Sequence, residues 1–269
     1  TAGLVVVMLL LGVLVSDVAG LPGCQQECKT ATASAQAQLP PPPPEPPVVG
    51  VAPSNGAQDI SPASRVAATV LDGTITGVSM VDDYGKAVDG VVSPDKRSWQ
   101  ATQPLRYGRT YAMNVVSRGT TGVPLVRTST FETASPSYLT QVYLETPGGL
   151  PIHEDIKYGV GTIVAARFDE PIADKAAAER RLTVTTNPPV HGAWYWVDDQ
   201  TAHWRPEKYY APGTTVTVAA NIFGAKLGDG LYGQEDAKAA FTIGDAHVSV
   251  ADDTTKQVSV FSNGKLMKT

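Results

Sequence analysis

From Ala63 onward the chain alternates short Val/Thr-rich runs with turn signals at intervals of about 8–12 residues, the pattern of a β-sandwich. The runs predict strands over Ser64–Val70, Thr74–Val81, Ala87–Val92, Trp99–Thr102, Thr110–Val116 and Leu125–Glu132. Asp72-Gly73, Asp83-Tyr84-Gly85, Ser93-Pro94-Asp95 and Tyr107-Gly108 punctuate them. A second set follows over Tyr138–Leu144, Ile163–Phe168, Leu182–Thr185, Ala193–Val197, Ala202–Arg205, Thr214–Asn221 and Ala239–Ile243. One stretch is helical instead. Asp174 can N-cap Lys175–Arg181, where alanines favour the helix and two arginines sit at its negative end.

The two sets are related. Trp99 is followed nine residues later by Gly108, and Trp204 nine residues later by Gly213. Each unit closes on a strand carrying a phenylalanine, Phe131 or Phe241. A period of about 105 residues is one immunoglobulin-like domain, so the body reads as a duplication. No Cys…Trp…Cys spacing is present, and the tryptophans are expected to anchor the space between sheets. The chain is expected to be all-β: tandem Ig-like sandwiches over 50–135 and 136–245, followed by 246–269.

The first 49 residues follow another rule. Ala2 to Val15 is uncharged, and as a helix it reaches roughly 21 Å, short of a hydrocarbon core of about 30 Å. It reads as the core of an export signal, although Thr1 is no initiator and a full transmembrane anchor stays open. Residues 1–24 are therefore expected to export the chain or hold it at the outer face of the plasma membrane. Leu21-Pro22-Gly23-Cys24 resembles a bacterial lipobox, in which Cys24 would carry the lipid. A Cys24–Cys28 disulfide is the competing use. Residues 25–49 are a linker whose Pro40–Pro47 stretch favours an extended polyproline spacer.

Composition narrows the chemistry. A length of 269 residues favours two domains. Gly 25 and Pro 21, with charged residues at 17%, argue against a long helical protein. The net charge of −5 and the lack of any Lys/Arg cluster exclude nucleic-acid binding. His153, His191, His203 and His247 form no HxH or HExxH, so no metal site is expected, and no cofactor. Asp169-Glu170 and Asp198-Asp199 are paired acids, the second placed in a hairpin loop where turn formation accounts for it. Lys226–Gly233 is glycine-rich without the strand–helix context of a phosphate cradle, and reads as a flexible loop. The aromatic group Trp194, Tyr195, Trp196, Trp204, Tyr209 and Tyr210 stands out. Alternation puts Trp194 and Trp196 on one face and Tyr195 on the other. The surplus of Trp194, Trp196, Trp204, Tyr209 and Tyr210 suits packing on a neighbouring domain, or on a sugar.

Several of these stretches together resemble a known family. Arg167-Phe168-Asp169-Glu170-Pro171-Ile172-Ala173-Asp174, Thr185-Thr186-Asn187-Pro188-Pro189-Val190, Trp194-Tyr195-Trp196, Trp204-Arg205-Pro206-Glu207 and Phe241-Thr242-Ile243-Gly244-Asp245 resemble the Ig-like domain that precedes the catalytic domain of mycobacterial-type L,D-transpeptidases. The first unit resembles the further Ig-like domain of longer members. The resemblance implies a following β-rich catalytic domain, whose Ser-His-Gly-Cys cysteine attacks peptidoglycan stem peptides. The acyl group then passes to a second stem, giving a 3→3 cross-link; a His-activated thiolate suits such acyl transfer outside the cytoplasm. No Ser-His-Gly-Cys occurs here, so no catalytic residue carries over. Residues 246–269 read as the first strands of that domain, turning at Asn263-Gly264, and the chain is expected to be cut short and inert. The rival reading is a stand-alone Ig-like envelope protein that binds glycan or a partner, with 247–268 completing the second sandwich.

Overall fold

The computed structural model describes residues 46–269. The first sandwich contains β1 (Val48–Ala52), β2 (Ala67–Leu71), β3 (Gly73–Asp82), β4 (Gly90–Val92), β5 (Ser98–Ala101), β6 (Thr110–Gly119) and β7 (Pro124–Glu132). The second contains β8 (Tyr138–Thr140), β9 (Val142–Glu145), β10 (Lys157–Tyr158), β11 (Val164–Phe168), helix α1 (Lys175–Glu179) and β12 (Leu182–Asn187). It continues with β13 (Gly192–Trp196), β14 (Thr201–Pro206), β15 (Thr215–Ala220), β16 (Leu231–Gly233) and β17 (Ala237–Ile243). Three last strands follow: β18 (His247–Asp252), β19 (Gln257–Ser262) and β20 (Lys265–Lys268).

The two sandwiches share one wiring. In the first, a sheet of order β1-β2-β5-β4 faces β3-β6-β7; in the second, β9-β11-β14-β13 faces β12-β15-β17-β10. Strand alternation builds each core. Along β6, Tyr111, Met113 and Val115 point inward and Ala112, Asn114 and Val116 lie toward the other side. On β3, Ile75 and Met80 both reach the core although five positions apart, because the register shifts between Ile75 and Gly77.

The repeated tryptophan is buried in each core, Trp99 on β5 and Trp204 on β14. Each needs a bare backbone on the neighbouring edge strand. A Cβ on Gly90 would fall 2.2 Å from the Trp99 ring, and one on Gly192 2.3 Å from the Trp204 ring. Both glycines stand two residues before the position paired with the tryptophan, Val92 or Trp194. Gly108 and Gly213, nine residues beyond each tryptophan, both have positive φ. The duplication read from spacing thus extends to the packing.

Differences from expectation have local causes. Pro47, Val48 and Val49 lie within the segment read as linker, yet Val48 and Val49 open β1, and Pro47 is buried against Gly73 and Gly119. The run Tyr138–Leu144 is two strands, because the Asp169 carboxylate takes the Thr140 hydroxyl and the Gln141 amide, both at 2.8 Å. That contact diverts the chain from β16 to β11. The helix ends at Glu179, two residues early, with Asp174 accepting from the Ala177 amide at 2.9 Å as its cap. Lys226–Gly233 is not a flexible loop: Leu227 is fully buried, and Leu231 to Gly233 form β16, buried beside β8.

Strands β18–β20 pair only with one another. Asn263 and Gly264, both at positive φ, make the turn between β19 and β20. Asn263 also clasps the end of the second sandwich. Its backbone amide donates to the Ala246 carbonyl (2.8 Å), its Oδ1 accepts from the Ala246 amide (2.9 Å), and its Nδ2 donates to Asp245 (3.1 Å). The rival reading needed these strands packed on the second sandwich; Val250, Val258, Leu266 and Met267 are exposed instead. The lipidation expected at Cys24, and residues 1–45 generally, lie outside the described residues.

Because the tryptophan slots admit no Cβ, Gly90→Ala and Gly192→Ala should each cost about 1–3 kcal/mol in urea unfolding. Gly77→Ala, with open space around it, should stay within about 0.5 kcal/mol. Equal costs at all three positions would refute the slot as the cause.

Candidate functional site: an interdomain junction and an exposed tyrosine

Two features of the described residues stand out as places of contact. The first is the junction between the sandwiches. Tyr107, in the turn before β6, reaches into the second sandwich. Its hydroxyl donates to the Gly233 carbonyl (2.7 Å) and accepts from the Gly224 amide (2.9 Å). Its ring meets Phe223 and Tyr232 edge-on, with centroids 5.7 and 5.9 Å away. Tyr232 in turn donates to Asp59 (2.8 Å), and the Ser61 hydroxyl to the Gly224 carbonyl (2.8 Å). Gly224 has φ of 74°, and a Cβ there would lie 2.3 Å from Ser61 Oγ. Burial raises the Tyr107 hydroxyl above its usual range, an effect the Gly224 amide partly opposes. Burial, helped by the Asp59 carboxylate, pushes Tyr232 up to about 12.

None of these junction residues was singled out by sequence reasoning as a contact. Tyr107-Gly108 reads as a turn, and Gly224 and Gly233 carry no periodic signal. The one usable trace is a tyrosine in a turn where a polar residue would serve, beside a glycine-rich stretch that also holds Tyr232.

The second feature is Tyr209. Of the five aromatics expected to pack between domains, Tyr210 and Trp204 are buried in their own sandwich, stacked at 6.3 Å. Trp196 stacks on Phe168 at 5.8 Å and donates Nε1–H to Glu179 (2.7 Å), tying α1 to the sheet. Trp194 is half-buried against the same sandwich. These four side chains are spent within the second sandwich, because alternation turns Trp194, Trp196 and Trp204 onto the inner face. Tyr209 is the exception, 72% exposed. Its ring lies over Gly161, where a Cβ would come within 3.4 Å. A groove of about 460 Å³ lined by Ile163, Arg205 and Glu207 lies on one side, and one of about 300 Å³ lined by Pro188, Val190 and His191 on the other. Tyr195, on the outer face of β13, is also exposed.

The acidic pairs serve structure. Asp198 accepts from the Gln200 and Thr201 amides, which hold its carboxyl below the usual range, and Asp199 pairs with Lys175 at 2.8 Å. His203 is half-buried on β14, opposite Tyr195 on one side and Ala165 on the other. Among the described residues no group of three or more His, Cys, Asp or Glu side chains is placed to hold a metal ion, and no helix is long and apolar enough to cross a membrane.

Two disulfide-free sandwiches of one wiring, joined through backbone glycines, define an Ig-like β-protein of the bacterial type. The chain belongs to the family described as "Bacterial Ig domain", whose model matches residues 57–226 and so crosses the junction. Its relatives are L,D-transpeptidases of Mycobacterium tuberculosis. It is 41% identical over 222 residues to L,D-transpeptidase 2 (strain CDC 1551 / Oshkosh), covering 82% of this chain and 53% of the relative. It is 35% identical over 215 residues to L,D-transpeptidase 5 (strain ATCC 25618 / H37Rv), covering 78% of this chain and 46% of the relative. The chain thus spans about half the length of these curated relatives. Among solved structures it is similar to L,D-transpeptidase 3 of Mycobacterium tuberculosis, at 24% identity and a TM-score of 0.33 over 45% of this chain and 46% of that one. A second is an L,D-transpeptidase from Mycobacterium smegmatis, at 21% and a TM-score of 0.34 over 47% of this chain and 51% of that one.

Raised tyrosines predict an alkaline limit. A tyrosine with a raised folded pKa holds its proton more tightly in the folded state. Its stabilisation is intact below the ordinary value of about 10 and is lost as pH rises toward the folded value. Tyr210 and Tyr232 both lie at about 12, the first by burial alone. Thermal midpoints should therefore hold steady up to about pH 10 and fall between about 10 and 12. Ultraviolet difference spectra should show a group of tyrosines ionising late, and one fewer in Tyr232→Phe if the junction ring is among them.

Proposed function

We propose that this chain is the N-terminal portion of a peptidoglycan L,D-transpeptidase of the cell envelope. The observation that carries the reading is the 41% identity to L,D-transpeptidase 2 over 222 residues, 82% of this chain. In this reading residues 1–24 export or anchor the chain, 25–49 space it from the membrane, and 50–135 and 136–245 are the Ig-like domains. Residues 246–269 open the catalytic domain, a reading supported by their separate three-stranded sheet, which does not finish an edge of the second sandwich.

The chemistry belongs to the intact protein. A cysteine there would attack an amide carbonyl of one stem peptide, release the residue beyond it as the free amine, and hand the acyl group to the amine of another stem, which frees the thiol. The two cysteines of this chain, Cys24 and Cys28, both precede the proline-rich stretch and the Ig-like domains, so in this reading the portion is inert and serves as export signal, spacer and scaffold. Tyr209, exposed between two grooves on the second sandwich, is the member of the aromatic group suited to receive the following domain.

The 269-residue chain incubated with a disaccharide–tetrapeptide donor should show neither a mass increase from acylation nor a 3→3 dimer. A chain extended in frame beyond Thr269, through a Ser-His-Gly-Cys motif, should show both. Acylation of the shorter chain, or a stop codon directly after Thr269, would overturn the reading.

A further inference from the structure

We infer that the two sandwiches form one rigid, cooperatively folding body, locked by Tyr107, rather than two beads on a flexible tether. Neighbouring domains move relative to one another by default, unless their interface is extensive and well packed. The covalent join here is only the short run from Ala134 to Ser137, between β7 and β8. What resists motion is the kind of atom that Tyr107 holds.

Both functions of its hydroxyl, donor and acceptor, are taken up by backbone groups of the other sandwich. A side-chain partner could follow a domain rotation by changing rotamer. The Gly224 amide and Gly233 carbonyl cannot, because Phe223 and Gly233 form a bridge and Gly233 sits in β16. Rotating one sandwich against the other would therefore strip two bonds from a half-buried hydroxyl at once, leaving the buried Gly224 amide and Gly233 carbonyl only their longer 3.3 Å bond to each other.

Two further contacts lie off this point. Ser61 holds the Gly224 carbonyl, and Asp59 holds the Tyr232 hydroxyl. Three anchors supplied by separate positions of the first sandwich fix orientation as well as distance, and the edge-on rings of Phe223 and Tyr232 fill the space between them. On the first sandwich, Asp59 and Ser61 are held firmly in turn. Ile60, between them, bridges Thr133 and exchanges backbone hydrogen bonds with Glu132 and Ala134. The lock thus links the edge of one sandwich to the closing loop of the other. This pairing does not rest on any enzymatic role of the chain.

The test is calorimetry of the full chain, with small-angle scattering on the same samples. The wild type should unfold in one transition with a scattering profile that fits a single conformation. Tyr107→Ala should split the transition in two, the lower shifted down by roughly 5–10 °C, and should broaden the distance distribution. If Tyr107→Ala does not fold, the double variant Tyr107→Phe with Tyr232→Phe keeps both rings, removes three junction bonds, and should split the transition less widely. Two transitions in the wild type would overturn the inference. So would a variant that lowers one undivided transition and leaves the scattering profile unchanged, since that marks ordinary destabilisation without uncoupling.

Discussion

A tryptophan ring laid flat between two sheets requires that the strand beside it offer bare backbone. Both sandwiches meet this requirement in one way, Trp99 against Gly90 and Trp204 against Gly192. Around that contact the remaining core falls into place. Inward residues of β6 and β15 face the tryptophan sheet, and phenylalanines 131 and 241 close the far side. Interiors this dense transmit the smallest change in volume. The placement of one side chain and one missing Cβ therefore constrains how closely the tryptophan strand and its edge neighbour pack.

The copies differ where they touch other things. The first sandwich spends Tyr107 and Tyr111 on backbone contacts: Tyr111 accepts from the Arg106 amide within its own domain, and Tyr107 crosses to the next. The second sandwich adds α1, held by Trp196 and Glu179, and the β8–β16 pair that receives Tyr107. It also carries the exposed ring of Tyr209. Duplication supplied two similar tryptophan-centred folds, and the additions gave the second sandwich a joint with the first and an exposed tyrosine.

Under the proposed function, this portion of the chain has a geometric task. A spacer holds a domain at a set distance only if its own parts do not fold back on one another. The proline-rich stretch ends in a buried proline, Pro47, against Gly73 and Gly119 of the first sandwich, and Asn263 ties the last three strands to Ala246 and Asp245. Both of these connections use backbone atoms or short side chains, which have little rotamer freedom to absorb a twist.

Much of the fold was legible along the chain. Strand positions followed from β-branched runs bounded by turn residues, the duplication from the Trp-to-Gly spacing, and the hairpin from Asn263-Gly264, because each is decided by neighbours within a few residues. The family resemblance rested on contiguous stretches of the second unit in the same way. What escaped were elements without local pattern. Strand β10 is two residues long, β16 lies in a glycine-rich run, and β1 starts behind prolines. The fate of the aromatics escaped as well. The sequence by itself determined that two similar sandwiches would form and that alternation would turn Trp194 and Trp196 to one side. Only the tertiary structure decided that those rings would fill their own core while Tyr107 bridged to Gly224 and Gly233, more than a hundred residues away. A strand's faces are set by its own backbone, whereas the partner of a turn residue is set by which surfaces the finished sandwiches bring together.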